Sequence, residues 1–573
     1  MFSILALTAG VPHAKKPDQK RPNTVFILSD DQDRRLGSTD FQSVLQREIF
    51  AKGVEFTQHY GTTAQCCPAR ASILRGQFSH NTNITHVNGP GGNYDKWLAS
   101  KQDEDYLPLW LKQAGYRTEY VGKFMNGYNT ANWADSPKHW DWMDTLIDPY
   151  TTFYNVPVLS QNGQRPTYYK GFHSTDVIRI KANANWNPAD EFQRKKGSWL
   201  RNLPRMNASA IDWADFTFRS RAQALQGVDE IIEDVVRMLE DKGIIDNTYI
   251  VYTADNGYHI GQNRAPAGKA LFYAEDTNLP FAVRGPGIPP GGLPSTHIDL
   301  APTFLDIAGL PSDKYPSFLD GASLLAQWQR PHQPSGPQPG NGNARETLNI
   351  GFWGLCVAEA PSNKELGGPF LNNTYKAVRI LGDDGNSWLF TKWCTGDVEM
   401  YHTATDPWEL HNIADSQDPY YKRAPTRLNA ILMLPEGSGE TLTSFEDAMA
   451  PRYDGFFDTF PRVSFQECLQ VQSAINEAPF YPALSSSANG TGTEEGLGRA
   501  FRDQTDHFVI TEDTLAITDG SFYGDQAQGN AELEELYANA RDLTDGELGV
   551  GKGNVGRRWD AGDVPDLGRY GWD

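Results

Sequence analysis

Two unbroken apolar runs, each followed at once by oxygen-bearing side chains, constrain the fold of this chain more than any other feature. The run TVFIL at Thr24–Leu28 is followed by the letters SDD, and the run TYIVYT at Thr248–Thr253 is followed by ADN. Continuous apolar, β-rich runs of this length are typical of strands that are buried on both faces of a parallel sheet. We therefore predict an α/β fold in which both strands are buried.

The side chains directly after these two strands are candidate metal ligands. There are four of them: Asp30, Asp31, Asp255 and Asn256. Open α/β sheets bind ligands beyond the carboxyl ends of their strands. Adjacent aspartates repel each other unless a cation neutralises them, and hard divalent cations prefer carboxylate and amide oxygens. For Asp30 and Asp31 alone, a solvated acidic turn is the alternative interpretation.

The stretch Gly61–Gly76, reading GTTAQCCPARASILRG, has the features of a helix start that favours an anion. Pro68 suits the first helical turn, and Gly76 can close the helix in a left-handed conformation. A cysteine at such a helix start lies where backbone N–H groups and the helix dipole favour negative charge. Arg70, one turn further on, can reach the same anion through its planar set of donors. The alternative is an ordinary buried cysteine.

The pattern C-x-P-x-R, followed by an apolar pair and a glycine, resembles the activation signature of the type I sulfatases. In that family a formylglycine-generating enzyme converts the cysteine to formylglycine (3-oxoalanine), an aldehyde whose hydrate is the nucleophile. Only Cys66 has a proline two places on and an arginine four places on. The resemblance therefore implies that Cys66 is modified and that Cys67 is the spacer, and it makes Arg70 a catalytic residue.

A second stretch, Thr253–Gly287, closely resembles the second sulfatase signature. The resemblance implies that calcium is held by the four strand-end residues named above. It gives Lys269 a role in binding the sulfate and the leaving group. His259 matches a subgroup of the family, and a place in the core or in the substrate wall is as good an interpretation as a catalytic role.

Lys123 follows a predicted strand at Arg117–Val121, in the run GKFMNG. A lysine after a strand is by default a surface residue, but the resemblance implies that Lys123 contacts the nucleophile and the sulfate. Many relatives carry a histidine two residues after this lysine, where this chain has Met125. With Asn126 next, the sequence is more similar to the N-acetylglucosamine-6-sulfatase-like and fungal arylsulfatase branches.

The resemblance extends roughly from Arg21 to Pro419 and implies an alkaline-phosphatase-like α/β fold. Such a fold has a mixed, mostly parallel sheet sandwiched by helices and a smaller C-terminal subdomain with an antiparallel sheet. Residues 21–329 then form the catalytic domain, in which the apolar spacing of Leu225–Leu239 predicts a helix. Residues 438–573 are a divergent extension, Gly-rich and acidic towards its end and partly mobile.

The C-terminal subdomain is predicted at residues 345–437, after a linker or loop at 330–344. The linker is rich in proline and glycine, which interrupt regular structure. Short apolar runs separated by turn residues predict three antiparallel strands, at Tyr375–Leu381, Trp388–Trp393 and Val398–Tyr401.

Charge, cysteines and the N-terminus bear on partners and location. A net charge of −21 and a pI near 5.0 argue against nucleic acid or an anionic membrane as partner, and the resemblance implies a small sulfate ester. Residues 1–14 resemble the apolar part of a signal peptide. Glycosylation sequons at Asn83, Asn207, Asn372 and Asn489 agree with a secreted or secretory-pathway protein. In that setting Cys356 and Cys394 could pair, although sequence does not determine disulfide connectivity.

The family pattern is interrupted between Asp176 and Leu225. Relatives carry here an apolar strand and a loop with a histidine that contacts the sulfate, and this sequence contains neither. Loss of a central strand would open the sheet. A sulfuric ester hydrolase is the favoured function. A phosphoric or phosphonate ester hydrolase of the same superfamily and an inactive, shortened relative that still binds calcium are the alternatives.

Overall fold

The computed structural model describes residues 2–9, 21–89, 91–148, 150–152, 158–169, 193–203, 206, 208–288, 295–329, 347–354, 356, 370–381, 387–433, 465, 468 and 540–542. Its strands are β1 (Phe2–Ala9), β2 (Asn23–Ser29), β3 (Val54–Glu55), β4 (His59–Tyr60), β5 (Tyr116–Gly122), β6 (Trp142–Leu146), β7 (Val158–Gln161), β8 (Thr167–Tyr169), β9 (Thr248–Ala254), β10 (Asn278–Leu279), β11 (Phe281–Arg284), β12 (Ser295–Thr296), β13 (Thr347–Phe352), β14 (Tyr375–Leu381), β15 (Ser387–Trp393), β16 (Val398–His402) and β17 (Ala540–Asp542). Its α-helices are α1 (Cys66–Arg75), α2 (Ser79–Thr82), α3 (Tyr94–Ala99), α4 (Leu107–Gln113), α5 (Ala208–Asp241), α6 (Ala274–Thr277), α7 (Leu300–Ile307), α8 (Leu325–Gln329) and α9 (Pro419–Met433).

Ten strands form one mixed sheet, in the order β17-β8-β7-β6-β5-β1-β2-β9-β11-β3. β2 pairs with β9 and β5 pairs with β6 in parallel, and the other neighbours in this sheet are antiparallel. Followed across the sheet, these pairings make β2, β3, β5, β6, β8 and β9 run in one direction and the other four strands in the opposite one. The two apolar runs are therefore parallel neighbours inside a mixed sheet, and both are buried, as the sequence predicts.

The apolar run of β2 is buried on both faces of this sheet. Phe26 and Leu28 pack into a core cluster with α1, α4 and α7. Val25 and Ile27 lie on the other face, in a cluster with α5. Helices thus cover both faces, which explains why the run has no polar alternation.

Part of the predicted signal peptide forms a strand of the central sheet. The structure places Phe2–Ala9 as β1 between β2 and β5, antiparallel to both. The assignment of residues 1–14 as a signal peptide stays a prediction. The interruption expected between Asp176 and Leu225 lies partly outside the described part of the chain, at residues 176–192, 204–205 and 207, and the described residues of that range form no strand.

Helix α5, at Ala208–Asp241, contains the predicted helix Leu225–Leu239 and begins 17 residues earlier. Its apolar side chains pack against the sheet face that carries Val25. Among the described residues, no helix combines the length and the apolar character that a bilayer-spanning helix needs.

The C-terminal subdomain is a four-stranded antiparallel sheet in the order β13-β14-β15-β16. The three strands predicted from sequence are confirmed as β14, β15 and β16. One face of this sheet is covered by α9. The other face packs against Leu271, Phe272 and Tyr273, in the segment that follows Lys269.

The cysteine pairing considered from sequence is wrong. Cys394 forms a disulfide with Cys468, and Cys356 is a buried cysteine outside that disulfide. Seventy-four residues separate the paired cysteines, so the partner is fixed by tertiary packing that spacing does not reveal. Residues 330–344 and, apart from 465, 468 and 540–542, all residues after 433 lie outside the described chain.

Candidate active site

The ends of four secondary-structure elements meet at one edge of the central sheet. β2 and β9 are parallel with Ser29 level with Ala254, so the side chains that follow these two residues lie side by side. Cys66 is the first residue of α1, and the end of β5 at Gly122 is followed directly by Lys123. This is the carboxyl edge of parallel strands, where α/β sheets bind ligands.

The predicted metal ligands surround Cys66. Possible ligand atoms of Asp30, Asp31, Cys66 and Asp255 all lie within 4.8 Å of one another. The Cys66 Sγ atom is 3.9 Å from Oδ1 of Asp30 and 3.8 Å from Oδ1 of Asp31. Oδ1 of Asp255 accepts hydrogen bonds from the backbone N–H groups of Asp31, at 3.0 Å, and of Asn256, at 2.9 Å. These bonds hold the two strand ends together.

Arg70 links both strand ends to the helix that carries Cys66. Its Nε donates to Oδ2 of Asp255 at 2.9 Å, and its Nη2 donates to Oδ2 of Asp30 at 2.8 Å. Its Nη1 donates to the backbone oxygen of Lys123 at 2.6 Å. Only 2% of the Arg70 side chain is exposed. Because the guanidinium is planar and carries several donors, one side chain makes all three bonds, which an ammonium group could not do in the same geometry.

Two lysines complete the cluster. Nζ of Lys123 donates to Oδ2 of Asp30 at 2.7 Å. Nζ of Lys269 donates to both carboxylate oxygens of Asp31, at 2.6 and 2.7 Å, and lies 3.2 Å from Sγ of Cys66. Three cationic side chains from distant parts of the sequence therefore converge on the three carboxylates.

The balance of charge and burial sets the protonation of the site. Burial opposes ionisation of Asp30, but Lys123 and Arg70 hold the pKa of that carboxyl well below its usual value. Burial, together with the negative charge of Asp30, raises the pKa of the Cys66 thiol well above its usual value. The thiol is therefore protonated at neutral pH, and a protonated thiol is a poor nucleophile.

The donor set fits a hard divalent cation. Nδ2 of Asn256 donates to Oδ1 of Asp31 at 2.6 Å. Oδ1 of Asn256 is buried and has no hydrogen-bond partner among the described residues. A buried acceptor without a partner costs free energy, which a coordinated cation would recover. Carboxylate and amide oxygens are the ligands that calcium takes in proteins, so these residues fit that ion.

His259 lies in the loop that carries Lys269. Its Nδ1 is 2.8 Å from Oδ1 of Asp276, and the backbone N–H of Leu271 donates to the other oxygen of the same carboxylate at 2.8 Å. Its backbone also pairs with Gly268 in a short antiparallel bridge. These contacts hold the two sides of the loop together, and a catalytic role for His259 stays a prediction.

Arg221 supports the site but is absent from the sequence-based set of residues. It lies on α5, and its Nη2 donates to the backbone oxygen of Asp31 and, at 3.1 Å, to Oδ1 of Asp33. Its guanidinium also stacks 4.8 Å from the ring centre of Tyr258. Arg221 precedes Leu225 by one helical turn, so it would have been found if the predicted helix had been extended to its true start.

The two residues at which this chain departs from many relatives, Met125 and Asn126, lie close after Lys123. Met125, where many relatives have a histidine, is 2% exposed and packs in the main hydrophobic core. Asn126 accepts a hydrogen bond from the backbone N–H of Tyr94 at its own backbone oxygen, at 2.9 Å. Its side-chain Oδ1 is buried without a hydrogen-bond partner in the described structure.

Known proteins match this chain over most of its length. The sulfatase family model matches residues 22–197 and 187–310. An arylsulfatase of Volvox carteri is 32% identical, and the match covers 83% of this chain and 85% of the alga's protein. Human N-acetylglucosamine-6-sulfatase is 30% identical, with 70% and 82% covered. An extracellular sulfatase homologue of Drosophila melanogaster is 32% identical over 54% of this chain, but only 31% of that longer protein is matched.

A solved structure described as a complex with its substrate D-glucosamine-2-N,6-O-disulfate has the same fold. It superposes with a TM-score of 0.54 at 20% identity, and the match covers 72% of this chain and 97% of that one. The mixed sheet between helices and the small antiparallel sheet are those of the alkaline-phosphatase-like fold. The chain belongs to the sulfatase family. It is a sulfuric ester hydrolase.

Proposed function

We propose that this sulfatase hydrolyses small sulfate esters with a formylglycine made from Cys66 and with calcium bound at the strand ends. One observation carries the proposal: Sγ of Cys66 lies within 4 Å of carboxylate oxygens of Asp30 and Asp31 and 3.2 Å from Nζ of Lys269. A nucleophile at this position would face both a metal and a cation. The sulfur atom stands where the modified residue would carry its oxygen.

The proposed calcium ligands are the strand-end residues Asp30, Asp31, Asp255 and Asn256. The buried, unpaired Oδ1 of Asn256 supports this assignment. When bound, the two groups would supply the chemistry that the side chains lack: the formylglycine hydrate provides the attacking hydroxyl, and calcium lowers the pKa of that hydroxyl and polarises a sulfate oxygen.

The cationic side chains are proposed to stabilise the negative charge on the sulfuryl oxygens. Arg70 and Lys123 are 2% and 7% exposed, so their charges act in a site that is largely free of water. Both are already fixed by hydrogen bonds before substrate binds, which avoids reorganisation during the reaction. Lys269 holds its proton at Nζ beside Cys66, from where it can bind the sulfate and donate to the leaving oxygen.

We also propose that the protein matures in the secretory pathway, where a formylglycine-generating enzyme would act on Cys66. The Cys394–Cys468 disulfide supports an oxidising compartment, and the Drosophila relative is named an extracellular sulfatase. The sequons at Asn83 and Asn372 are partly exposed, whereas those at Asn207 and Asn489 lie outside the described residues.

We propose for the chain the domain organisation that its sequence predicts. It consists of a predicted signal peptide at 1–14, of which residues 2–9 form β1 in this structure, a catalytic domain at 21–329, a linker at 330–344, a C-terminal subdomain at 345–437 and an extension at 438–573. The packing of the four-stranded sheet between α9 and the segment after Lys269 supports the subdomain as a unit with its own core.

The proposal is tested by comparing turnover of an aryl sulfate and an aryl phosphate by the secreted, calcium-loaded protein. Wild type should prefer the sulfate, and Cys66→Ala should abolish turnover. Cys67→Ala is the matched control, because Cys67 is equally buried and adjacent but is not the proposed nucleophile. Turnover by Cys66→Ala equal to that of wild type would refute the nucleophile, and preference for the phosphate would favour the phosphoric ester alternative. Turnover of neither ester by wild type would favour the inactive relative.

A further inference from the structure

The C-terminal subdomain packs directly on the segment that carries Lys269. Tyr375 of β14 and Trp393 of β15 lie in one hydrophobic cluster with Leu271 and Phe272. The ring of Phe272 is 5.1 Å from that of Tyr375 and 5.4 Å from that of Trp393, centre to centre. The segment after Lys269 is therefore enclosed by a second structural unit.

The backbone at Lys269 has an unusual conformation that the subdomain stabilises. Ala270 has φ 85°, in the left-handed region where a residue with a Cβ is strained. The side-chain amide of Asn373 donates from Nδ2 to the backbone oxygen of Ala270 at 2.9 Å. The thiol of Cys356 donates from Sγ to the backbone oxygen of Lys269 at 3.4 Å. The backbone carbonyls of Lys269 and Ala270 thus each accept a hydrogen bond from the C-terminal subdomain.

Asn373 can adopt only one amide orientation at this position. Its Oδ1 accepts from Nε1 of Trp199 at 2.9 Å, while its Nδ2 donates to Ala270. An indole N–H only donates and a backbone carbonyl only accepts, so the amide cannot be flipped. Asn373 is fully buried, so water cannot replace either bond. A side chain that presents acceptors to both neighbours could not donate a hydrogen bond to the Ala270 carbonyl.

We propose that Asn373 is a positioning residue for Lys269. By fixing the Ala270 carbonyl it holds the left-handed turn, and the turn directs Nζ of Lys269 to Asp31 and Cys66, at 2.6 and 3.2 Å. The inference rests on the proposed role of Lys269 in the reaction. It gives the C-terminal subdomain a part in catalysis through the position of Lys269.

The decisive variant is Asn373→Asp, assayed for kcat between about pH 5 and about pH 8 and divided at each pH by the wild-type value. The ionised carboxylate places an oxygen against the Ala270 carbonyl, so kcat should fall, on the order of tenfold to a hundredfold, as expected for a misplaced catalytic group. The protonated carboxyl can donate as the amide does, and burial raises the pKa of a carboxyl group. The kcat ratio should therefore recover at the acidic end. Asn373→Leu, which cannot donate at any pH, should stay low throughout.

The titratable groups near Asn373 must be considered when this pH profile is read. Lys269 and Cys356 lie on the segments that Asn373 adjoins, and Asp397 accepts from the backbone N–H of Ser198, next to Trp199. All of these groups are present in wild type, so division by the wild-type profile removes their direct contribution. A recovery that remains belongs to the introduced carboxyl.

Asn412→Asp is the matched control. Asn412 lies in the same subdomain, is 9% exposed, and also donates to backbone oxygens, those of Lys195 at 2.8 Å and Val398 at 3.1 Å. Within the described part of the chain, Asn412 makes no hydrogen bond to residues 269–272. Its variant should lose stability, but its kcat ratio should not depend on pH. A pH-independent ratio for Asn373→Asp, or one equal to that of Asn412→Asp, would overturn the proposal.

Hydrogen exchange separates this inference from the proposed function. In Asn373→Leu, the peptide that spans Lys269–Phe272 should exchange faster than in Asn412→Leu, whether or not the protein turns over a sulfate ester. Equal exchange in the two variants would overturn the positioning role. If wild type fails to hydrolyse aryl sulfate, the proposed function fails, and the exchange comparison still decides whether Asn373 holds the segment.

Discussion

Replacement of Lys269 by methionine tests whether this buried cation takes part in catalysis. Lys269 is 8% exposed and contributes three contacts of 3.2 Å or less, two to Asp31 and one to Cys66. Methionine keeps most of the side-chain volume and removes the charge. Because loss of one preorganised donor at developing negative charge costs about 2.7 to 4 kcal/mol in the transition state, kcat should fall about a hundredfold to a thousandfold.

The assay is steady-state turnover of an aryl sulfate, with circular dichroism to establish that the variant is folded. Lys392→Met is the matched control, because Lys392 is also 8% exposed and its Nζ donates to Asn429, in the C-terminal subdomain and away from Cys66. Its kcat should stay within about threefold of wild type, since it loses no contact with reacting atoms. If Lys269→Met also stays within a few-fold, the role assigned to Lys269 is wrong.

Three further predictions address the metal, the buried histidines and Arg70. Calcium at a hundred times its Kd should add about 2.7 kcal/mol to the unfolding free energy of wild type and so raise its unfolding temperature. Asn256→Leu should reduce that gain. An unfolding temperature that is the same with calcium and with a chelator would contradict the calcium site. Burial lowers the pKa of His297 to about 4, and its ring lies 5.3 Å from that of His59, whose pKa burial also lowers. Because only the neutral form of His297 suits the folded state, its contribution is complete above the unfolded pKa near 6.5 and is lost as pH falls towards 4. Wild type should therefore lose about 2 kcal/mol more unfolding free energy than His297→Gln between about pH 8 and about pH 5 in denaturant titrations, and an equal loss would refute the assignment. Arg70→Lys should lower the unfolding free energy by about 1.5 to 3 kcal/mol, because at least one of three buried bonds to Asp30, Asp255 and the Lys123 backbone is lost; unchanged stability would contradict the linking role.

Local sequence predicted the parts of the site that depend on local structure. An apolar run ending in aspartates predicts both a buried strand and the position of its ligands, because strand ends in parallel register lie at the same edge. This is why Asp30 and Asp255 meet as expected, with Ser29 level with Ala254. The start of α1 at Cys66 likewise follows from Pro68 and from Gly76, which has φ 62° and ends the helix.

Features that depend on packing between distant segments were not predictable from the sequence. Arg221 reaches Asp31 because α5 begins 17 residues before Leu225, and this contact spans 190 residues of sequence. Asn373 reaches Ala270 across 103 residues of sequence, and Cys394 pairs with Cys468 across 74. No local pattern marks such partners, since each contact exists only after segments that are distant in sequence have packed together.

The most direct test of the account is mass spectrometry of the tryptic peptide Gly53–Arg70 from protein secreted by its own host. We predict that this peptide carries formylglycine at Cys66 and an unmodified cysteine at Cys67. A peptide with an intact thiol at Cys66 would contradict the proposed function, because the formylglycine nucleophile would be missing.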